Sequence, residues 1–272
     1  MALVRMFAPL VAFALITGPA GSHEFWIDPA RFAVAPGEAI EADLRVGEAF
    51  AGGAQSYLPS RFRRFELVQG AEATPVEGRL GDRPALNQGL SGDGLAVVVH
   101  ETTDSRLTYR EFAKFENFVR HKDAEWTIEA HRARGLPDSG FVEVYSRYAK
   151  ALVAVGAGAG RDRVVGMETE LVAQANPYTD DIGEGLPGIL LYQRAPRAEA
   201  QIEVFEKSPS GDVAVSTVRT DAQGVARVPV RPGHRYMLDA VGLRPPEPPG
   251  TGANAPVWES LWANLTFAVP AR

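Results

Sequence analysis

Apolar and polar positions alternate with period two in several short stretches of this chain, and each such stretch predicts a strand. In residues 39–46, AIEADLRV, Ile40, Ala42, Leu44 and Val46 fall on one face. In 64–68, RFELV, Phe65 and Leu67 do the same around a charge. Residues 95–100, LAVVVH, form a continuous β-branched run, as in a central strand covered on both faces. A further strand is predicted over 141–155. Shorter ones follow at 168–173, 188–192, 200–205, 215–219, 225–230, 236–241 and 264–269. Turn residues punctuate them: APGE at 35–38 and TDAQG at 220–224. Residues 243–256 are too rich in Pro and Gly for either regular element.

The period changes once. Thr108 and Glu111 have capping-box spacing, and Phe112, Phe115, Phe118 and Val119 follow at helical intervals. The helical pattern extends to residue 134, with Gly135 as a stop and Pro137 beyond it. Short strands with turns between them, and no regular alternation with helices, predict a mostly β protein of sandwich type. GAGAG at 156–160 divides it as a linker. The expected organisation is a β-sandwich domain over 23–158 with a helical insertion near 108–135, then a second β-sandwich over 159–272.

The first 22 residues stand apart. One positive charge, Arg5, precedes the apolar run MFAPLVAFALI at 6–16, and small residues TGPAGS follow. That order reads as a cleavable export signal, and the run is shorter than the roughly 20 residues that span a bilayer. The expected location is the periplasm or the exterior, with no membrane span after the signal. The chain has no Cys, so it has neither a lipid-attachment site nor disulfides. Its net charge of −6 argues against nucleic acid as a partner.

Cleavage after Ser22 would make His23 the first residue, with its α-amine and a ring nitrogen placed to chelate one ion. Cleavage after Ala20 would leave Gly-Ser-His, whose amine, two amides and imidazole can surround Cu(II) or Ni(II) in a plane. His23 is therefore the principal candidate metal ligand. His100, at the end of a buried-looking strand, and His234, in a Pro-Gly turn, are weaker candidates. His121 and His131 read as solvated helix positions. No HExxH or similar spacing occurs, and GxSxG, P-loop and dinucleotide-binding motifs are absent, so no enzyme is expected. Two polar-aromatic segments offer a ligand or partner surface: Tyr145, Arg147, Tyr148 and Lys150 in one, Trp258 and Trp262 in the other. Amphipathic packing is the competing account of both.

HEFWIDP at 23–29, Pro36-Gly37, YSRYAKAL at 145–152 and WESLWA at 258–263, in that order, resemble the DUF4198 family. The resemblance implies an exported bacterial β-protein. Some members are associated with nickel or cobalt uptake, which implies an accessory that binds Ni, Co or Cu and meets a transporter component or another envelope protein. Members in transport systems can carry membrane segments, and this chain shows none after its signal. The second half, through TDAQG between strands, is also similar to immunoglobulin-like sandwiches of the transthyretin or carboxypeptidase-regulatory kind. A structural or interaction module without metal is the alternative.

Overall fold

The computed structural model describes residues 23–252 and 254–271. The export signal predicted over 1–22 lies outside the described residues. In chain order the elements begin with β1 (Glu24–Pro29), β2 (Ala33–Val34), β3 (Ala39–Glu48), β4 (Ala51–Gln55), β5 (Phe62–Gln69), β6 (Glu72–Pro75) and β7 (Leu86–Gly89). Next come β8 (Gly94–Thr102), β9 (Ser105–Tyr109), α1 (Phe112–His121), α2 (Trp126–Ala133) and β10 (Phe141–Val155). The chain continues with β11 (Thr169–Ala173), β12 (Leu186–Tyr192), β13 (Ala195–Pro196), β14 (Gln201–Lys207) and β15 (Val213–Arg219). It ends with β16 (Val225–Val228), β17 (Arg235–Arg244) and β18 (Pro256–Ala268).

The protein is mostly β, as its alternation predicts, and its sheets are layered. A central sheet runs β15-β14-β17-β18-β10-β8-β5-β6, with β2 and β9 also pairing β10. Its two long inner strands, β10 and β18, are parallel, with Arg147 opposite Trp262. Side chains alternate across this sheet, so each strand feeds two layers. On one face, Leu95, Val97, Leu152, Leu238, Leu261 and Leu265 pack against the small sheet of β11, β12, β13 and β16. The opposite face has two covers. The sheet of β1, β3, β4 and β7 covers one end, over Ala149, Ala151 and Val153 of β10. Helices α1 and α2 cover the other, over Phe141 of β10 and Trp258 and Trp262 of β18. Residue 147 of β10 falls at the seam between these covers.

Strands from both sides of residue 158 hydrogen-bond within the central sheet, so the predicted division at 158/159 runs through one continuous layer. GAGAG at 156–160 is tied down rather than loose. Asn176 Nδ2 donates to the carbonyls of Gly158 (2.8 Å) and Gly160 (2.9 Å), and the backbone N–H of Ala157 donates to Asp93 (3.0 Å). The chain turns there at positive φ, and a Cβ at Gly158 would sit 2.7 Å from that of Ala154. Asn176→Ala is expected to lower stability by about 1–2 kcal/mol, read as a lower denaturant midpoint, because it strands the buried carbonyl of Gly158 and frees the part-buried one of Gly160.

The helical insertion begins later than its sequence suggests. Thr108 belongs to β9 and pairs with Val142, so it caps nothing, and Glu111 occupies the cap position without a side-chain hydrogen bond. Pairing with β10 claims the backbone that a helix would need. No helix among the described residues is long and apolar enough to cross a membrane.

Candidate functional site

β1 positions the start of the described chain. Phe25 and Ile27 point into the layer beneath the small β1–β3–β4–β7 sheet, while Trp26 points to Phe205 and Met237. His23 follows the Phe25 face. Its Nδ1 lies 3.5 Å from Glu48 Oε1 at the end of β3, and both side chains are more than half exposed. The carbonyl of His23 accepts a hydrogen bond from Arg147 Nη2 at 3.0 Å. Among the described residues no group of three or more His, Asp or Glu is placed to hold a metal ion. His23 and Glu48 thus supply two donors.

Below this edge, at the seam, lies a cavity of about 510 Å³. Phe25, Leu44 and Val46 come from the covering sheet, His100 and Arg147 from the central sheet, and Tyr57, Leu58 and Arg61 from the segment between β4 and β5. His100 is 1% exposed. Its ring sits among Phe25, Phe62 and Phe65 at centroid distances of 5.1, 4.7 and 5.0 Å, and neither ring nitrogen has a hydrogen-bond partner among the described residues. Burial pushes its pKa down to about 3, so the imidazole is neutral. Arg147 lies over the rings of Tyr145 (4.7 Å) and Phe25 (5.9 Å).

His234 is elsewhere. It contacts Glu206 at 2.7 Å, and its carbonyl accepts from the N–H of Val269, beyond the end of β18. Arg147 pairs at Trp262, seven residues back, so His234 lies on the order of 20 Å along the sheet from the His23 end. The structure groups His23, His100 and Arg147 and leaves His234 out.

Most of the polar-aromatic surface proposed from sequence is interior. Trp258 is fully buried beneath the helices, and its Nε1 donates to His131 Nδ1 at 3.0 Å. His131 is itself fully buried, against the expectation of a solvated position. Trp262 stacks on Phe118, and its Nε1 donates to Ser260. Lys150 is enclosed, with Nζ 2.6 Å from Asp162 and 3.2 Å from Glu170. Glu170 accepts the N–H groups of Val165, Gly166 and Met167, so this network staples the 160–170 loop to the sheet. Tyr148 is buried and accepts from Ser146; only its edge reaches a shallow polar depression with Arg63 and Glu101. Alternation along β10 and β18 turns these side chains inward, which leaves Arg147 and half-buried Tyr145 near the cavity.

A second polar cluster had no sequence signal. Lys122, 4% exposed at the end of α1, contacts Glu203, Asp239 (3.4 Å) and Glu24 (3.5 Å), and lies over the Trp262 ring. Burial opposes its charge, but the three carboxylates outweigh burial and hold the ammonium above its usual pKa. Burial, with Asp239 and Glu203 nearby, raises Glu24 to about 7. His121, exposed on α1, contacts Glu203 at 2.8 Å, and that hydrogen bond raises its pKa. Each carboxylate of this cluster is engaged by Lys122, so the group reads as a structural ion network.

No curated protein and no solved structure matches the chain. Residues 20–244, which include every element that frames the cavity, match the family model described as a domain of unknown function, DUF4198, and the chain belongs to that family.

Proposed function

We propose that this protein is an exported, non-enzymatic accessory of the bacterial envelope that holds a late transition-metal ion, nickel or cobalt first, in connection with metal uptake. Its site is the start of the processed chain. The observation that carries this reading is the pairing of His23 Nδ1 with Glu48 Oε1 at 3.5 Å, both exposed, at the point where the sequence places signal cleavage. Imidazole and carboxylate are two of the three donors that a site of this kind requires. Cleavage after Ser22 adds the third, the α-amine of His23. Arg147 fixes the same residue through its carbonyl, so the donors hang from an anchored strand rather than a free tail. The uncleaved chain lacks the amine, which makes export and metal binding one event.

Titration calorimetry with Ni(II), Co(II) and Cu(II) tests this on protein whose N-terminus has been sequenced. Binding of one ion per chain is expected for the processed form, with affinity at least about tenfold lower for the unprocessed form and for His23→Ala. Equal affinity in the three would overturn the reading. Glu48→Gln discriminates between geometries: it weakens an amine–imidazole–carboxylate site and leaves a planar Gly-Ser-His site, formed by cleavage after Ala20, unchanged.

A further inference from the structure

We infer that the cavity at the seam between the two covers is a binding site for a small organic anion: a carboxylate attached to an aromatic or similarly flat apolar body. The site is independent of the metal reading, because neither His23 nor Glu48 lines it.

Charge is the first observation. Arg61, Arg83 and Arg147 line the cavity, and among the described residues no Asp or Glu does. Several arginines elsewhere in this chain pair with carboxylates, as Arg45, Arg64 and Arg244 do, while others, such as Arg106 and Arg197, donate to backbone carbonyls. These three form no ion pair among the described residues, although the chain as a whole carries −6. Neutral anchors orient two of them, while Arg61 is exposed at the mouth. Arg83 Nε donates to Ser56 Oγ at 2.8 Å, and Arg147 donates to the His23 carbonyl and lies over two rings. Arg147 Nε is buried with no partner among the described residues. Guanidinium groups set in this way offer forked donors to a carboxylate and are more weakly hydrated than an ammonium, so they give up water at lower cost.

The second observation is His100. A buried imidazole nitrogen without a partner costs on the order of 1–3 kcal/mol, and both nitrogens of His100 are in that state. A neutral ring has one donor and one acceptor to offer. The aromatic cage that confines it, with Phe25 and Phe62 on the cavity side, supplies flat apolar contact to a ring placed beside it. Leu58 and Leu80, the latter 74% exposed, extend the apolar surface at the mouth. The volume of about 510 Å³ lies within the range of small-molecule sites. Apolar floor, unpaired guanidinium groups and a bare polar ring are together the recognition chemistry of an aryl carboxylate.

The test uses processed, metal-free protein titrated with 3-phenylpropionate and 1-naphthoate, followed by calorimetry and by nitrogen shifts of the His100 ring. Controls are the matching primary amides, which keep the ring and lose the charge, and a short peptide ending in phenylalanine. Saturable binding of at least one acid is expected, with a shift at His100 and at least about tenfold weaker binding of its amide. Arg61→Gln combined with Arg83→Gln, both outside the sheet interior, is expected to weaken the acid about tenfold or more and to leave metal binding unchanged. His100→Phe keeps the aromatic packing and is expected to weaken the acid as well. No saturable binding of either acid by about 5 mM, or equal binding of acid and amide, would overturn the proposal. A peptide that binds tighter than the free acids would overturn it in favour of a chain terminus as the occupant.

Discussion

Lys122→Met is expected to destabilise the fold by about 3–5 kcal/mol at neutral pH, more than any single change near the cavity. The side chain is buried, and its ammonium is the cation that Glu24, Glu203 and Asp239 share. Methionine fills a similar volume and can lay its thioether against Trp262 where the ammonium lay, so the loss reports charge, its cation–π contact included, rather than bulk packing. Without Lys122, Asp239 keeps Asn264 as a neighbour at 3.4 Å, and Glu203 keeps His121. Glu24 has no other cation within ion-pair distance among the described residues. For a chain of this size the loss corresponds to a fall in Tm of about 6–20 °C. The sign with pH is opposite to that of an ordinary salt bridge lost on acidification. Carboxylates that are buried and unpaired have raised pKa values, so protonation relieves them, and the variant is expected to recover towards the parent as pH falls from 8 to about 5. Parallel melting curves of parent and variant at both pH values check this. A variant as stable as the parent at pH 8 would mean that the network contributes nothing net.

The same network marks what the sequence could and could not reveal. Its four members stand at positions 24, 122, 203 and 239, and no spacing rule connects a residue after a helix to three separate strands. Strands were legible wherever a single face is apolar, as with Ile40, Ala42 and Leu44 in β3. β10 was legible as a strand but not as the strand common to both covers, because its successive segments meet a helical layer, the cavity and a sheet. Trp258 and Trp262 illustrate the ambiguity further. A spacing of four puts two residues on one face of a strand as well as near one face of a helix. Here they share the inward face of β18, under α1 and α2. The capping box failed for a related reason: local spacing favoured a cap at Thr108, and a long-range pairing with Val142 prevailed. Of the candidate site, His23 was legible from its place after the predicted signal. The cavity was not, since Phe25, Arg61, His100 and Arg147 come from four distant segments and only the fold places them together.

Stability is expected to fall as pH rises from about 5 to 8, and Glu143 is expected to carry much of the fall. This carboxyl is 2% exposed beneath the helices. Tyr109 donates to it at 2.8 Å and Ser260 donates to its other oxygen. Burial nevertheless raises its pKa to about 7, against both hydrogen bonds and Arg147. A carboxyl with a raised folded pKa binds its proton more tightly when folded than when unfolded. Its contribution is fully present below the unfolded value, near 4.5, and is lost as pH climbs through about 7. The loss amounts to roughly 2–3 kcal/mol by pH 8, a figure set by the size of the shift. Glu24, raised to about 7 as well, acts in the same direction. Glu203, held below its usual value by His121 and Lys122 although burial pulls it upward, acts in the opposite one. Glu143→Gln separates these contributions. The amide keeps the shape, and the hydroxyls of Tyr109 and Ser260 can each turn to accept from it. The variant is expected to match or exceed the parent at pH 8 and to show a shallower decline in Tm between pH 5 and 8. An unchanged slope would move the origin of the decline to Glu24 and the Lys122 network, where the Lys122→Met series at the same two pH values would find it.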